Sequence, residues 1–109
     1  MELIPTDKPK GVAISTNATR NTAKQGQNVA LTCDVSEAKP PVSEYRFYLN
    51  DSILTPITNV NKFIIKDVKR SQHFGQYKCV AHNDVGDGHS DHVFLNINGK
   101  SLLRDFQTY

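Results

Sequence analysis

The chain has 109 residues, 38% of them hydrophobic, and a formal net charge of +2. This length suits one domain with a single core, and the composition is typical of a globular protein rather than a disordered chain. Lysines and arginines are scattered, so the sequence offers no basic stripe of the kind that nucleic-acid binding requires. No apolar run exceeds three residues, which predicts that no segment inserts into a membrane.

Short β-type runs, separated by turn residues, follow one another along the chain. The expected strands are residues 11–14, 29–35, 45–49, 53–54, 63–67, 75–82 and 92–97. Turn-forming residues lie between them, notably at 25–28, 50–52 and 83–88. No stretch predicts a long helix between the first and the last of these strands. The pattern therefore predicts an all-β fold of the sandwich type.

Alternation of apolar and polar residues directs both cysteines toward one interior. Val29, Leu31 and Cys33 share one face of their strand, and Tyr77 and Cys79 share one face of another. Two cysteines that point into a core between strands can form one disulfide bridge that joins two sheets, and such a bridge favours an oxidising compartment. A bridging role also argues against a catalytic cysteine.

In their order and spacing, four motifs resemble those of an immunoglobulin-like domain. Residues 26–33 read Gly-Gln-Asn-Val-Ala-Leu-Thr-Cys, similar to strand B of that family, and residues 75–79 read Gly-Gln-Tyr-Lys-Cys, similar to the start of strand F. Residues 81–86 resemble the Ala-x-Asn-x-x-Gly run of adhesion-type domains, where Asn and Gly suit left-handed positions of the F–G hairpin. Residues 93–97 resemble strand G.

The resemblance implies a two-sheet β-sandwich with seven to eight strands and Greek-key connections. The connection from Phe47 to Phe63 is too short for the extra C′ and C″ strands of a variable domain, which favours the C2 or I set. A disulfide between Cys33 and Cys79 would then join strands B and F. The residues expected to form the core around it are Leu31, Phe47, Tyr77 and Leu95.

Three positions carry more detailed expectations. Tyr77 matches the tyrosine-corner residue of the family, whose hydroxyl bonds to the backbone a few residues upstream. Phe47 stands where the family usually has Trp, since the sequence contains no Trp. His73 stands where the family tends to have an aspartate, so the ion pair that this aspartate usually makes is not expected.

The resemblance covers about residues 9–98, which we take as the domain. Residues 1–8 are expected to be a lead-in or linker. Their first part lacks the charged and apolar regions of a secretion signal, and we interpret it as the edge of a domain taken from a longer protein. Residues 99–109 are expected to be a linker or tail.

The sequence predicts no enzyme, no metal site and no cofactor. It lacks the Gly-x-Ser-x-Gly elbow of serine hydrolases and any glycine-rich phosphate loop. His89 and His92 would point to opposite faces of a strand, so all the histidines are expected to be surface residues. Asp84, Asp87 and Asp91 cluster near the F–G turn without the spacing of a calcium loop, although a weak calcium contact shared with a neighbouring domain stays open.

The expected binding surface is the outer face of the sheet that contains strands C, F and G. If Phe47 points inward, alternation places its neighbours on this outer face. The expected partner-binding residues are Arg46, Tyr48, Lys78, Val80, His82 and Phe94. Aromatic anchors beside cationic neighbours are typical of protein interfaces. The opposite sheet, with Ile64 outward, is a poorer candidate.

Asn17 and Asn50 begin Asn-x-Ser/Thr sequons, the acceptor sites for N-glycosylation, and together with the cysteine pair they favour an extracellular location. The resemblance implies a recognition module in the ectodomain of an adhesion molecule, receptor or secreted protein. Its partner would be a protein ligand, with another immunoglobulin-like domain as one candidate, bound homophilically or heterophilically. Two alternatives stay open: a structural spacer in a larger ectodomain, and an intracellular filament-type domain with reduced cysteines.

Overall fold

The computed structural model describes residues 6–98, which fold into two packed β-sheets and a separate two-stranded ribbon. Eleven strands lie in this part of the chain: β1 (Asp7–Lys10), β2 (Ala13–Thr16), β3 (Thr22–Lys24), β4 (Val29–Asp34), β5 (Glu37–Lys39), β6 (Glu44–Leu49), β7 (Ser52–Ile53), β8 (Lys62–Ile65), β9 (Gly75–His82), β10 (Asp87–His89) and β11 (Val93–Asn98). Two short helical turns accompany them, a 3₁₀ turn at Thr19–Asn21 and a single α-helical turn, α1, at Arg70–His73. No helix within residues 6–98 is long and apolar enough to cross a membrane.

The larger sheet has the strand order β3-β11-β9-β6-β7, with β10 also paired to β9, and the smaller sheet has the order β2-β4-β8. A separate ribbon pairs β1 with β5. Strand β3 runs parallel to β11, whereas the other paired strands are antiparallel. Because β4 and β8 lie in one sheet and β6, β7 and β9 in the other, the chain crosses repeatedly between the sheets. The predicted two-sheet sandwich is confirmed.

Strand β4 shows how the alternating pattern produces the core. Val29, Leu31 and Cys33 are buried, whereas the residues between them are half-buried. The partner strand β8 sets Ile65 opposite Val29 and Phe63 opposite Leu31, so both strands direct apolar side chains into the same interior. Full burial of an aliphatic side chain contributes about 1.5–3 kcal/mol, and the sum over the interior holds the two sheets together.

The interior contains a disulfide between Cys33 and Cys79, which joins β4 of the smaller sheet to β9 of the larger one. The expected bridge is therefore confirmed. Phe47 lies opposite Cys79 in the register of β6 and β9, and its ring centroid is 6.2 Å from that of Phe63. It packs beside the bridge, at the position where the family usually has Trp. The four residues expected in the core are fully buried: Leu31, Phe47, Tyr77 and Leu95.

Tyr77 forms the expected tyrosine corner. Its hydroxyl donates a hydrogen bond to the carbonyl oxygen of His73, and burial raises the pKa of Tyr77 to about 12, so the group stays a donor. His73 Nδ1 accepts a hydrogen bond of 2.8 Å from the backbone N–H of Lys69. Burial, and then the charge of Lys69, lower the pKa of His73, which keeps the ring neutral as this acceptor role requires. His73 thus closes the α1 turn instead of forming an ion pair.

The first expected strand, at residues 11–14, overlaps β2 alone, and an unpredicted strand, β1, precedes it. β1 pairs with β5, and β2 pairs with β4, with Gly11 between them. Gly11 has a φ of +63°, in the left-handed region, and a Cβ there would lie 2.4 Å from Ser36 Oγ. This turn lets the chain leave one partner strand and join the next. Strands β3, β5 and β10 are also absent from the sequence-based prediction, which has a turn at 83–88 where β10 begins.

A hairpin follows β6 at the place of the expected turn at 50–52. The connection is too short for the C′ and C″ pair of a variable domain, but β7 forms a two-residue C′-like strand and sets Ile53 opposite Tyr48. Asn50 (φ 50°) and Asp51 (φ 66°) occupy the two central positions, and positive φ at both is what a type I′ hairpin requires. The turn therefore places Ile53 beside Tyr48 on one face.

Candidate partner-binding surface

The outer face of the larger sheet is the surface that turns away from the smaller sheet. In β6 and β9, the core residues Phe47 and Cys79 alternate with residues that point outward. Residues directly opposite each other in neighbouring strands share a face, so the register fixes which outward side chains are neighbours. The outward residues of β6 and β9 are Glu44, Arg46, Tyr48, Gln76, Lys78, Val80 and His82.

A charged cluster occupies the end of this face next to the F–G turn. His82 Nδ1 lies 2.6 Å from Asp87 Oδ1, and Arg46 Nη1 lies 4.0 Å from the other oxygen of the same carboxylate. Glu44 lies opposite His82 and adds a second carboxylate. All four side chains are half-buried, and the contacts of Asp87 with His82 and Arg46 hold three of them in a defined polar arrangement. Such an arrangement favours discrimination between partners more than affinity.

Val80 is not the exposed contact residue that the sequence predicts, because only 2% of it is accessible. It does lie on the outer face, where the register sets Arg46 opposite it on β6 and His89 opposite it on β10. These longer side chains flank the valine on both sides and shield it from solvent. At 2% exposure Val80 has almost no surface to offer, so the prediction that it contacts a partner is wrong.

An amphipathic patch occupies the other end of the face. It comprises Tyr48, Ile53, Lys78 and Phe94, and we call it the lower patch. Lys78 Nζ lies 5.2 Å from the centroid of the Tyr48 ring, a cation–π arrangement. Ile53 is 58% exposed and Phe94 is 48% exposed, so two large apolar side chains meet solvent beside a cation. Sequence reasoning missed Ile53, although the two-residue turn that pairs it with Tyr48 is a recognisable signal.

A stack of side chains holds Phe94 in place. Its ring meets Phe74 edge to face with the centroids 5.0 Å apart, and the guanidinium of Arg70 lies 4.4 Å from the Phe74 centroid. Arg70 Nη1 also donates a hydrogen bond of 2.8 Å to the carbonyl oxygen of Ile97. Because the exposed ring is supported in this way, little side-chain entropy is left for a partner to remove on binding.

The F–G turn is anchored by Asn83, which is fully buried. Its Nδ2 donates to the carbonyl oxygens of Asp7 (2.8 Å) and Pro40 (2.9 Å), and its Oδ1 accepts from the backbone N–H groups of Val85 and Gly86. One carboxamide therefore ties the turn to β1 and to the segment before β6. The expectation that Asn83 and Gly86 adopt left-handed conformations is wrong, because neither has a positive φ. The side-chain hydrogen bonds explain the asparagine instead.

Replacing this carboxamide should loosen the turn. We expect Asn83→Ala to lower the free energy of unfolding by about 2–3 kcal/mol, because it leaves buried carbonyl and N–H groups without partners. Urea denaturation followed by tyrosine fluorescence measures the change. Asp84→Ala, at the exposed neighbouring position, is the matched control and should change stability by less than about 0.5 kcal/mol. Equal stability of the two variants would contradict the anchoring role.

The remaining predicted site residues lie elsewhere. Asn17 follows β2 at the edge of the smaller sheet, Asn50 begins the β6–β7 turn, and both are exposed. His89 lies in β10, and His92 Nε2, just before β11, is 3.4 Å from Asp51 Oδ1. Within residues 6–98, no group of three or more His, Cys, Asp or Glu side chains is placed to hold a metal ion.

A sequence model of the immunoglobulin domain family matches residues 8–83. The chain belongs to the immunoglobulin domain family. Human Fc receptor-like protein 6 is 30% identical to this immunoglobulin domain over 82 residues, which cover 72% of this chain and 18% of that protein. The chain thus spans less than a fifth of the length of this curated relative.

Solved immunoglobulin domains share the fold at low sequence identity. The second Ig-C2 domain of human Fc-receptor like A has a TM-score of 0.67 at 17% identity, over 81% of this chain and 96% of that one. Murine CEACAM1b has a TM-score of 0.64 at 22% identity, over 85% of this chain and 45% of its own. At these identities the likeness shows the fold alone. Immunoglobulin domains are generally non-enzymatic binding modules, and no catalytic family is indicated.

Proposed function

We propose that this immunoglobulin domain is an extracellular protein-recognition module of a multi-domain adhesion molecule or receptor. It binds a protein partner through the outer face of the larger sheet and the adjacent F–G turn. The observation that carries this proposal is the lower patch, in which Ile53 and Phe94 are about half exposed beside the Lys78–Tyr48 pair. The disulfide and the similarity to a receptor-like protein support the extracellular location.

The lower patch has the chemistry of an interface centre. Aromatic and aliphatic anchors give affinity by burial, whereas the charged cluster above them restricts which partners fit. Both parts lie on strands that the core holds rigidly, and the anchored F–G turn exposes Val85 at 48% beside them. The outer face of the smaller sheet offers less, because Ile64 (51% exposed) is the one large hydrophobic side chain strongly exposed on its described strands.

Arginine substitutions on the two sheets test the proposal. We expect Phe94→Arg and Ile53→Arg each to weaken partner binding by at least about tenfold, since truncating or charging an interface anchor typically costs more than 1.4 kcal/mol. Ile64→Arg, a matched change on the opposite sheet, should leave the affinity unchanged. The probe is an array of secreted ectodomains that includes the chain itself, with affinities measured by biolayer interferometry on variants of wild-type Tm.

Two outcomes would contradict the proposal. The first is that the domain binds nothing on the array, itself included, which would favour a structural spacer within a larger ectodomain. The second is that Ile64→Arg removes binding while Phe94→Arg and Ile53→Arg leave it intact. The intracellular filament-type alternative predicts reduced cysteines, and the bond between Cys33 and Cys79 speaks against it.

A further inference from the structure

The two sequon asparagines differ in how the fold uses their side-chain amides. We propose that Asn17 is the N-glycosylated residue of this domain, that Asn50 is left largely unmodified, and that the first sugar at Asn17 packs into the cleft beside it. The inference rests on the proposed extracellular location, because N-glycans are added in the secretory pathway.

The amide of Asn17 is held in an orientation that frees its nitrogen. Asn17 Oδ1 accepts a hydrogen bond of 2.9 Å from the backbone N–H of Ala30, and the backbone N–H of Asn17 donates to the carbonyl oxygen of Ala30 (3.1 Å). Since the oxygen and nitrogen lie on opposite sides of a planar carboxamide, fixing the oxygen on β4 directs Nδ2 away from that strand. Within residues 6–98, Asn17 Nδ2 makes no hydrogen bond, so a sugar can be attached without the loss of a contact.

The side-chain amide of Asn50 packs against the start of β9 in the larger sheet. Its Oδ1 accepts from the backbone N–H of Gln76 (3.0 Å), and its amide lies directly over Gly75, where a Cβ would come within 2.6 Å of Asn50 Nδ2. The nitrogen that would carry the sugar is therefore packed against β9. Attachment there would displace the side chain from Gly75 and break its hydrogen bond with the backbone N–H of Gln76.

A cleft of about 530 Å³ opens beside Asn17. It lies between the 3₁₀ turn, β3 and the start of β4, and its volume is in the range of protein sites for small molecules. Buried Ala23 and Val29 contribute to its lining, and Gln27 and Asn28 contribute polar side chains. Gln27 Oε1 accepts a hydrogen bond from the backbone N–H of Lys24, and Asn28 Oδ1 accepts one from the backbone N–H of Asp67. The NH₂ groups of both side chains therefore remain as donors.

This lining matches the chemistry of N-acetylglucosamine, the first sugar of an N-glycan. The ring and the N-acetyl methyl group offer apolar surface to half-buried Ala18 and to the methyl group of half-buried Thr22, and the sugar hydroxyls and carbonyl accept hydrogen bonds from the NH₂ groups of Gln27 and Asn28. The same arrangement keeps the glycan on the edge formed by β2 and β3. The lower patch, on the outer face of the larger sheet, then remains unshielded.

Glycopeptide mass spectrometry measures the occupancy of the two sequons. The complete 109-residue chain is secreted from eukaryotic cells behind a cleavable signal. We expect Asn17 to be at least about fivefold more occupied than Asn50.

Three variants serve as controls. Thr19→Ala should remove the glycan while keeping the Asn17–Ala30 hydrogen bonds, and Thr19→Ser should keep both the glycan and the bonds. Ser52→Ala should change neither the mass nor the yield of the secreted protein. A folded, disulfide-bonded chain without sugar at Asn17, or with equal occupancy at both sites, overturns this inference and leaves the recognition proposal standing.

Packing of the first sugar is tested by trimming. An endoglycosidase leaves a single N-acetylglucosamine on Asn17, and this form should melt about 4 °C above Thr19→Ala. Nuclear Overhauser contacts should join its N-acetyl methyl group to the methyl groups of Ala18 or Thr22. If the trimmed form has the same melting temperature as the Thr19→Ala variant and shows no such contacts, the sugar extends into solvent, and the inference is wrong.

Discussion

Replacing both cysteines, as Cys33→Ala with Cys79→Ala, should lower the free energy of unfolding by about 4 kcal/mol. The bridge spans 46 positions and joins the two sheets, so its loss releases a long loop in the unfolded chain. Both sulfurs are buried, and the register that sets Phe47 opposite Cys79 remains to hold the variant together. We therefore expect a folded but much less stable protein.

Urea denaturation of the wild type and the double variant measures this difference, with the reduced wild type as a control that should match the variant. Alkylation before reduction should leave the mass unchanged, and reduction should add two hydrogens. Modification of both thiols without reductant, or a double variant within about 1 kcal/mol of the oxidised wild type, would contradict the bridge.

The second large effect is expected at Phe47. Its ring is fully buried beside the disulfide and in contact range of Phe63, so Phe47→Ala leaves a cavity between the sheets. Truncation of a buried phenylalanine costs about 3–5 kcal/mol, through lost burial and the cavity that remains. The change is measured by thermal and urea unfolding.

Phe94→Ala is the matched control, since it removes the same ring from a position that is 48% exposed. We expect it to cost about 1 kcal/mol, the value of an edge-to-face aromatic pair such as the one with Phe74. A Phe47→Ala variant no less stable than Phe94→Ala would show that Phe47 does not fill the core position beside the bridge.

The sequence predicts the core well because burial follows the period of two. In β4 the alternating Val29, Leu31 and Cys33 are buried as the pattern requires, and Tyr77 closes its corner as the motif implies. In these strands the local sequence pattern is enough to predict which side chains point inward. The disulfide that joins the two sheets is predicted by the positions of the two cysteines.

The rest depends on contacts that no local pattern contains. The unpredicted β1 ends just before Gly11, where the chain turns and a Cβ would collide with Ser36 from a distant part of the chain. Val80 points outward as alternation predicts, yet two neighbouring strands cover it, so its exposure could not be read from its own strand. Asn83 matches a turn residue, but its role comes from carbonyl groups of Asp7 and Pro40.

Within residues 6–98, the outer face of the larger sheet combines three features that the opposite sheet does not. The charged cluster, the lower patch and the anchored turn lie together on one face, and the opposite sheet lacks a comparable group in the described residues. If Asn17 carries the glycan, the sugar lies at the edge formed by β2 and β3 and leaves this face open. These three features are the support for the proposal that the domain recognises a partner through the outer face of the larger sheet.

An added glycan tests this claim most directly. Asn98→Thr creates a sequon at Asn96, an outward residue of β11 two positions after Phe94, and Ile64→Asn with Lys66→Thr creates one on the opposite sheet. The measurement is the affinity of each glycosylated variant for the partner found on the ectodomain array. We predict at least about a tenfold loss for the glycan at Asn96 and no loss for the glycan at position 64. Unchanged affinity with the Asn96 glycan, together with a loss from the glycan at 64, would contradict the account.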